Sequence, residues 1–171
     1  MPDEPITHLF LDCEWADVLA SELVSIALVS LDGEHLFYAE RERLPVDSTP
    51  WVAAVVYPLL QRGRYVMTDE GMSLALRTFL ASVERPQICY DFGADRMLCQ
   101  YVIDGFEVPE PLGPAPVDLT WRLLTDTSSA VEQWWKAHPD ARGQRHHALA
   151  DAQALRGAWR SLNETTPRIG S

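Results

Sequence analysis

Apolar positions cluster in short runs at the start of the chain and spread to a helical spacing further on. Residues 7–12 (THLFLD) and 23–30 (LVSIALVS) read as strands. The second is almost continuously apolar, the pattern of a strand covered on both faces. Asp32-Gly33 then gives a two-residue turn signal, so 34–39 reads as the returning strand of a hairpin. Residues 50–60 and 69–83 have helical spacing, the latter with an acidic first turn. A short strand at 86–90 (PQICY) and a helix at 94–104 follow. Residues 107–116 (EVPEPLGPAP) form a proline-rich loop, and VDLTWRLL opens either a strand or a helix. A helix at 129–138 carries Trp134 and Trp135, and RGQRHHALADAQALRGAWRSL reads as a loop leading into a last helix. No repeat or linker divides the chain, so one domain over 1–171 is expected, with its core at 7–160 and a frayed tail at 161–171. The pattern predicts a mixed α/β sheet. Its first three strands form a meander and later strands join through helices.

Charge interrupts this pattern in three places. Side chains alternate along a strand, so His8, Phe10, Asp12 and Glu14 share one face. Two carboxylates thus follow an apolar run that carries them toward the core, where an uncompensated charge is costly. The spacing alone is weak, because Asp32-Gly33-Glu34 repeats it in a hairpin turn. In DFGADRMLC, Asp95 falls three before Leu98 and seven before Val102, at the edge of the inward stripe. An ordinary alternative is a carboxylate stabilising the helix N-terminus, with Asp91 as the cap. In the last helix, Ala148, Ala152, Leu155, Trp159 and Leu162 form a stripe with 4-3-4-3 spacing, and Asp151 shares that face. His146 stands five residues earlier, while its neighbour His147 reads as an exposed loop residue. Four inward carboxylates cannot all ionise in one dry site without counter-charge. Two Mg²⁺ or Mn²⁺ ions, hard cations that prefer oxygen, would supply it.

Composition narrows the class. Among 171 residues, 47% are hydrophobic and 23% charged, ordinary values for a globular protein. No apolar stretch approaches the roughly 18 residues of a membrane helix, and the acidic N-terminus does not read as a signal peptide. Three irregularly spaced cysteines, Cys13, Cys89 and Cys99, argue against a disulfide framework and suggest a reducing, cytoplasmic setting. A net charge of −11 argues against broad binding of duplex nucleic acid. The positive charge is nearly all arginine, which suits bidentate phosphate recognition; Lys136 is the only lysine.

Taken in order, D-x-E at Asp12 and Glu14, then Asp95, then H-x(4)-D at His146 and Asp151, resembles the DEDDh branch of the 3′–5′ exonucleases. That DnaQ-like superfamily has an RNase H-like fold. LDCEW, GADRML and HHALAD carry the match, supported by the hairpin ELVSIALVSLDGE, over about residues 7–160. The resemblance is greatest to small stand-alone bacterial exoribonucleases. It implies a five-stranded mixed sheet and two-metal phosphodiester hydrolysis on single-stranded RNA or DNA 3′ ends. By the same resemblance Asp12 would bridge both ions, Glu14 and Asp151 would complete the ligands of the first ion, Asp95 would hold the second ion directly or through water, and His146 would deprotonate the attacking water. The chain departs from the family at Trp15-Ala16-Asp17, where Thr-Thr-Gly-like residues are usual, and at Tyr90-Asp91, where His-Asn is usual. Substrate contacts are therefore expected from Trp15, Cys13, Asp91 and Arg145, with Trp15 either stacking on a base or packing beside the strand. Arg142 is a further phosphate candidate, Arg96 a lesser one, and Trp134-Trp135 read as helix packing or a subunit contact. Pairing into a homodimer is expected by analogy. The rival readings are a non-catalytic nucleic-acid or protein-binding domain and a small-nucleotide phosphatase.

Overall fold

The computed structural model describes residues 5–164. Its strands are β1 (Thr7–Trp15), β2 (Leu23–Ser30), β3 (Leu36–Arg41), β4 (Val66–Met67), β5 (Pro86–Tyr90) and β6 (Thr120–Leu123). Its helices are α1 (Pro50–Val55), α2 (Asp69–Ser82), α3 (Gly93–Ile103), α4 (Ser128–Ala137) and α5 (Ala148–Glu164). The sheet has six strands in the order β4-β3-β2-β1-β5-β6. β1, β2 and β3 form the expected antiparallel meander, while β5 runs parallel to β1 and β6 parallel to β5.

Six strands replace the expected five. The extra one, β4, is two residues long and pairs only Glu40 with Val66 and Arg41 with Met67, too brief to show alternation. VDLTWRLL resolves as strand β6. The hairpin after β2 closes through four residues rather than two. Ser30 N–H donates to the His35 carbonyl, and Asp32 accepts from the Ser30 hydroxyl and the Glu34 N–H. Gly33, at φ 81°, supplies the left-handed residue that this loop needs. At the other end, α5 continues through Glu164, so residues 161–164 of the expected tail are helical; 165–171 lie outside the described residues.

Alternation on β1 and β2 builds two cores. Leu9, Leu11, Cys13, Ile26 and Leu28 pack against Met72, Leu76 and Leu80 of α2 and Leu98 and Val102 of α3. Phe10, Ala27, Val29 and Tyr38 pack against Ala148, Ala152 and Leu155 of α5. Burying a side chain such as Leu9, Phe10 or Leu11 contributes about 1.5–3 kcal/mol. The Trp159 ring lies 5.7 Å from His8 and 6.1 Å from Phe10, so α5 reaches the beginning of β1 by that residue. Leu162 lies past that point and is 44% exposed, which ends the expected stripe at Trp159.

α4 and α5 meet at a glycine. A Cβ added at Gly157 would stand 2.1 Å from Trp134 Cδ1. Gly157→Ala is therefore expected to destabilise the protein by about 1–3 kcal/mol, the usual cost of overpacking, despite alanine's higher helix propensity. Urea unfolding checks this: a stability unchanged or raised would mean that the Trp134 ring moves aside freely.

Candidate functional site

β1 pairs with β5 only from Thr7 to Phe10 and extends five residues beyond that register. Asp12 and Glu14 sit on this extension, at the carboxyl end of two parallel strands, where open α/β sheets commonly leave a crevice. A register irregularity between Glu14 and Trp15 ends the regular pairing with β2. Such irregularities re-aim side chains next to sites.

Three further elements close on the extension. The first turn of α3 brings Asp95, 3% exposed, whose Oδ1 accepts a 3.0 Å hydrogen bond from the Cys13 N–H. Asp91 does not cap α3: Phe92 occupies that position without a side-chain bond, and Asp91 Oδ2 instead accepts from the Thr127 hydroxyl at 3.3 Å. The first turn of α5 brings Asp151, which accepts from the His146 N–H at 3.0 Å. His146 is held at φ 72°, a left-handed conformation that an ordinary side chain adopts at a cost. α1 brings Trp51, whose ring meets the His146 imidazole edge-on at 4.9 Å. Across the mouth, Trp15 stacks on Phe92 with centroids 5.8 Å apart and planes within 12°.

The result is a cavity of about 330 Å³ lined by both carboxylates of β1 together with Cys13, Trp15, Asp91, Asp95, His146 and Asp151. Eight of the nine residues expected at a site converge there. Arg145 does not: its guanidinium pairs with Glu132 and lies over the Trp135 ring. Arg142 bonds the Trp135 carbonyl. His147 corrects another expectation. It is 4% exposed, packed 4.7 Å from the Tyr38 ring, with Nε2 3.3 Å from the Gln61 amide. Trp51 and Phe92 were not foreseen, because they enter from separate loops and helix starts that share no periodicity with β1.

Among the described residues, no ion pair reaches Asp12, Glu14, Asp95 or Asp151. Asp12 Oδ2 is buried with no hydrogen-bond partner. The carboxyls respond by holding protons. Burial, then the charges of Asp95, Asp151 and Glu14, raises Asp12 well above the usual range. Burial raises Asp95 to about 8 against the opposing Cys13 hydrogen bond. Glu14 is pushed up to about 9 by burial and by Asp151, whereas Asp151 rises only to about 6. The difference has a cause: protonated Glu14 donates to Asp151, which also accepts from the backbone N–H of His146 and feels the Arg145 charge. His146 moves the other way, lowered by burial and by the Arg145 charge, and is neutral near pH 7.

Glu14, His146 and Asp151 form the one group of three potential ligands among the described residues whose donor atoms all lie within 4.8 Å of one another. An orphaned carboxylate oxygen and four crowded acids, with no ion pair to any of them among the described residues, fit divalent ions bound through oxygen. No protein-family model and no curated protein matches this sequence. The site therefore rests on its own geometry. Among the described residues no helix is long and apolar enough to cross a membrane.

Proposed function

We propose that the protein is a metal-dependent 3′–5′ exonuclease of the DEDDh type, releasing nucleoside monophosphates from single-stranded or short RNA. The observation that carries this is the convergence of four carboxylates without an ion pair, from β1, α3 and α5, on one open cavity beside a neutral histidine. The antiparallel meander continued by parallel strands supports an RNase H-like reading of the sheet.

In this reading Asp12, Glu14, Asp95 and Asp151 hold two Mg²⁺ or Mn²⁺ ions. Such ions supply Lewis acidity toward the oxygens of the scissile phosphodiester. His146 accepts the proton of the attacking water, and Trp51 fixes the plane of its ring. The stacked Trp15 and Phe92 offer a face to the 3′-terminal base, a contact contributing ~1–3 kcal/mol without sequence preference. A cavity of 330 Å³ is at the small end of ligand pockets, ~300–1,000 Å³, and suits one terminal nucleotide. The acidic surface agrees with short or frayed substrates, since a long duplex needs a broad basic face. A cytoplasmic setting and a homodimer belong to the same proposal.

The test is a 5′-labelled oligomer with Mg²⁺ or Mn²⁺, beside an Asp12→Ala control. A ladder that shortens from the 3′ end, and is lost with EDTA and in the variant, is the expected result. Running RNA and DNA of one sequence side by side decides the sugar. No cleavage by folded, metal-loaded protein would turn the reading to a binding domain, and release from mononucleotide esters alone would turn it to a phosphatase.

His146→Asn separates the base from the backbone, because Asn accepts a left-handed conformation more readily than most residues. Cleavage is expected to fall by about 10²-fold, the lower range for general-base loss, with the melting temperature of the metal-free protein little changed. Single-turnover kinetics check it; a rate within threefold (about 0.7 kcal/mol) would remove His146 from the proton transfer.

A further inference from the structure

The three potential ligands closest together are two carboxylates and an imidazole, not four carboxylates. That chemistry distinguishes between ions. Mg²⁺ takes oxygen and keeps much of its water. A borderline ion such as Zn²⁺ binds imidazole nitrogen strongly and commonly takes three protein ligands with a fourth position open.

We propose that Glu14, His146 and Asp151 form a site for a borderline transition-metal ion, with Zn²⁺ the type case, in which the His146 imidazole is a direct ligand. The ring is prepared for this. Trp51 holds it edge-on, the backbone N–H of His146 is tied to the Asp151 carboxylate, and neither ring nitrogen has a hydrogen-bond partner among the described residues. A second observation points to a cation in the same cavity: the buried Asp12 Oδ2 has no partner. The cavity's one thiol does not compete. Cys13 Sγ is directed at the Asp95 carbonyl, 3.7 Å away.

The consequence for activity rests on the nuclease reading, in which the His146 lone pair accepts the proton of water. An ion ligated by His146 occupies that lone pair. Zn²⁺ is then an inhibitor of the Mg²⁺-dependent reaction, and the free-ion balance between them sets the active fraction.

Two measurements on the full chain test the site. In the wild-type protein, the ¹⁵N shifts of the His146 ring should move on addition of Zn²⁺ and stay in place with Mg²⁺. Calorimetric titration should show His146→Asn weakening Zn²⁺ by about 100-fold, the upper end of what losing even an outer partner costs, while Mg²⁺ affinity changes by less than about twofold. Unmoved ring shifts, or a variant that keeps wild-type Zn²⁺ affinity, overturn the proposal. So does an equal loss of Mg²⁺ and Zn²⁺ binding, which would make the effect structural. The two readings fail separately. Zn²⁺ binding through His146 with no 3′ shortening under any ion would remove the nuclease and leave the site. Shortening with Zn²⁺ affinity indifferent to His146 would do the reverse.

Discussion

Replacing Asp12 by Asn is expected to abolish 3′ shortening and, in the absence of metal, to make the protein more stable. Both effects follow from one atom. Among the described residues Asp12 Oδ2 is buried with no partner, and burial first, then the neighbouring Asp95, Asp151 and Glu14, penalises its ionised form. An amide of the same shape is neutral without having to take up a proton on folding, and it places a donor in a cavity rich in acceptors. The gain is of the order of 1–3 kcal/mol, the range for satisfying a buried polar group. At ~2–4 °C per kcal/mol for a chain of this length, the melting temperature rises by several degrees. The cost falls on the metal-bound state. If Asp12 holds divalent ions as proposed, a neutral amide would be a poor substitute for the carboxylate, and the rate is expected to drop by 10³-fold or more, on the order seen when catalytic groups acting as a unit lose a member. Thermal unfolding with EDTA and with Mg²⁺ reads out the first effect and the cleavage assay the second. A variant less stable than wild type in EDTA would show that Asp12 is not strained by its neighbours. A variant that still cleaves would remove it from the chemistry.

The parts of this site that were legible in the sequence are those governed by a local period. Alternation along β1 placed Asp12 and Glu14 on the Phe10 face, and that is the face that meets α5. The three- and four-residue spacing placed Asp95 and Asp151 on inward stripes, and both line the cavity. What the period does not encode is which surfaces meet. His147 sits in a run that reads as a polar loop, yet it packs against Tyr38 of β3, more than a hundred residues away in sequence. Arg145 stands beside His146 in sequence, but Glu132 on α4 is its partner in space. Trp51 and Phe92 had no periodic neighbours to mark them, and only the arrangement of α1 and α3 around the end of β1 makes them walls. The missed strand, β4, is two residues long and exists only through pairing with β3.

A metal-free protein built this way should lose stability as the pH rises, opposite to the trend of proteins held by paired carboxylates. In the unfolded chain Asp and Glu titrate near pH ~4. In the folded state Asp95 is raised to about 8 and Glu14 to about 9, with Asp12 also well above the usual range. Between those limits the folded protein holds more protons than the unfolded one, so the stability slope is negative. Each extra proton held costs about 1.4 kcal/mol of stability per pH unit. Stability is therefore fully present below pH ~4 as far as these groups are concerned, and is lost progressively as the pH rises through 8 and 9. General acid denaturation, which other carboxylates impose at the low end, confines the useful window to about pH 5.5–9. Urea unfolding in EDTA across that window should show the midpoint falling steadily. Saturating Mg²⁺ or Mn²⁺ should flatten or reverse the slope, because an ion stabilises the same groups in their ionised form and binding becomes tighter as they lose protons. Asp12→Asn should leave a shallower slope in EDTA. A flat wild-type profile would mean that the four acids are compensated by something other than a metal ion. A slope that divalent ions leave untouched would mean that the cavity strains its carboxylates without binding the ions proposed to relieve them.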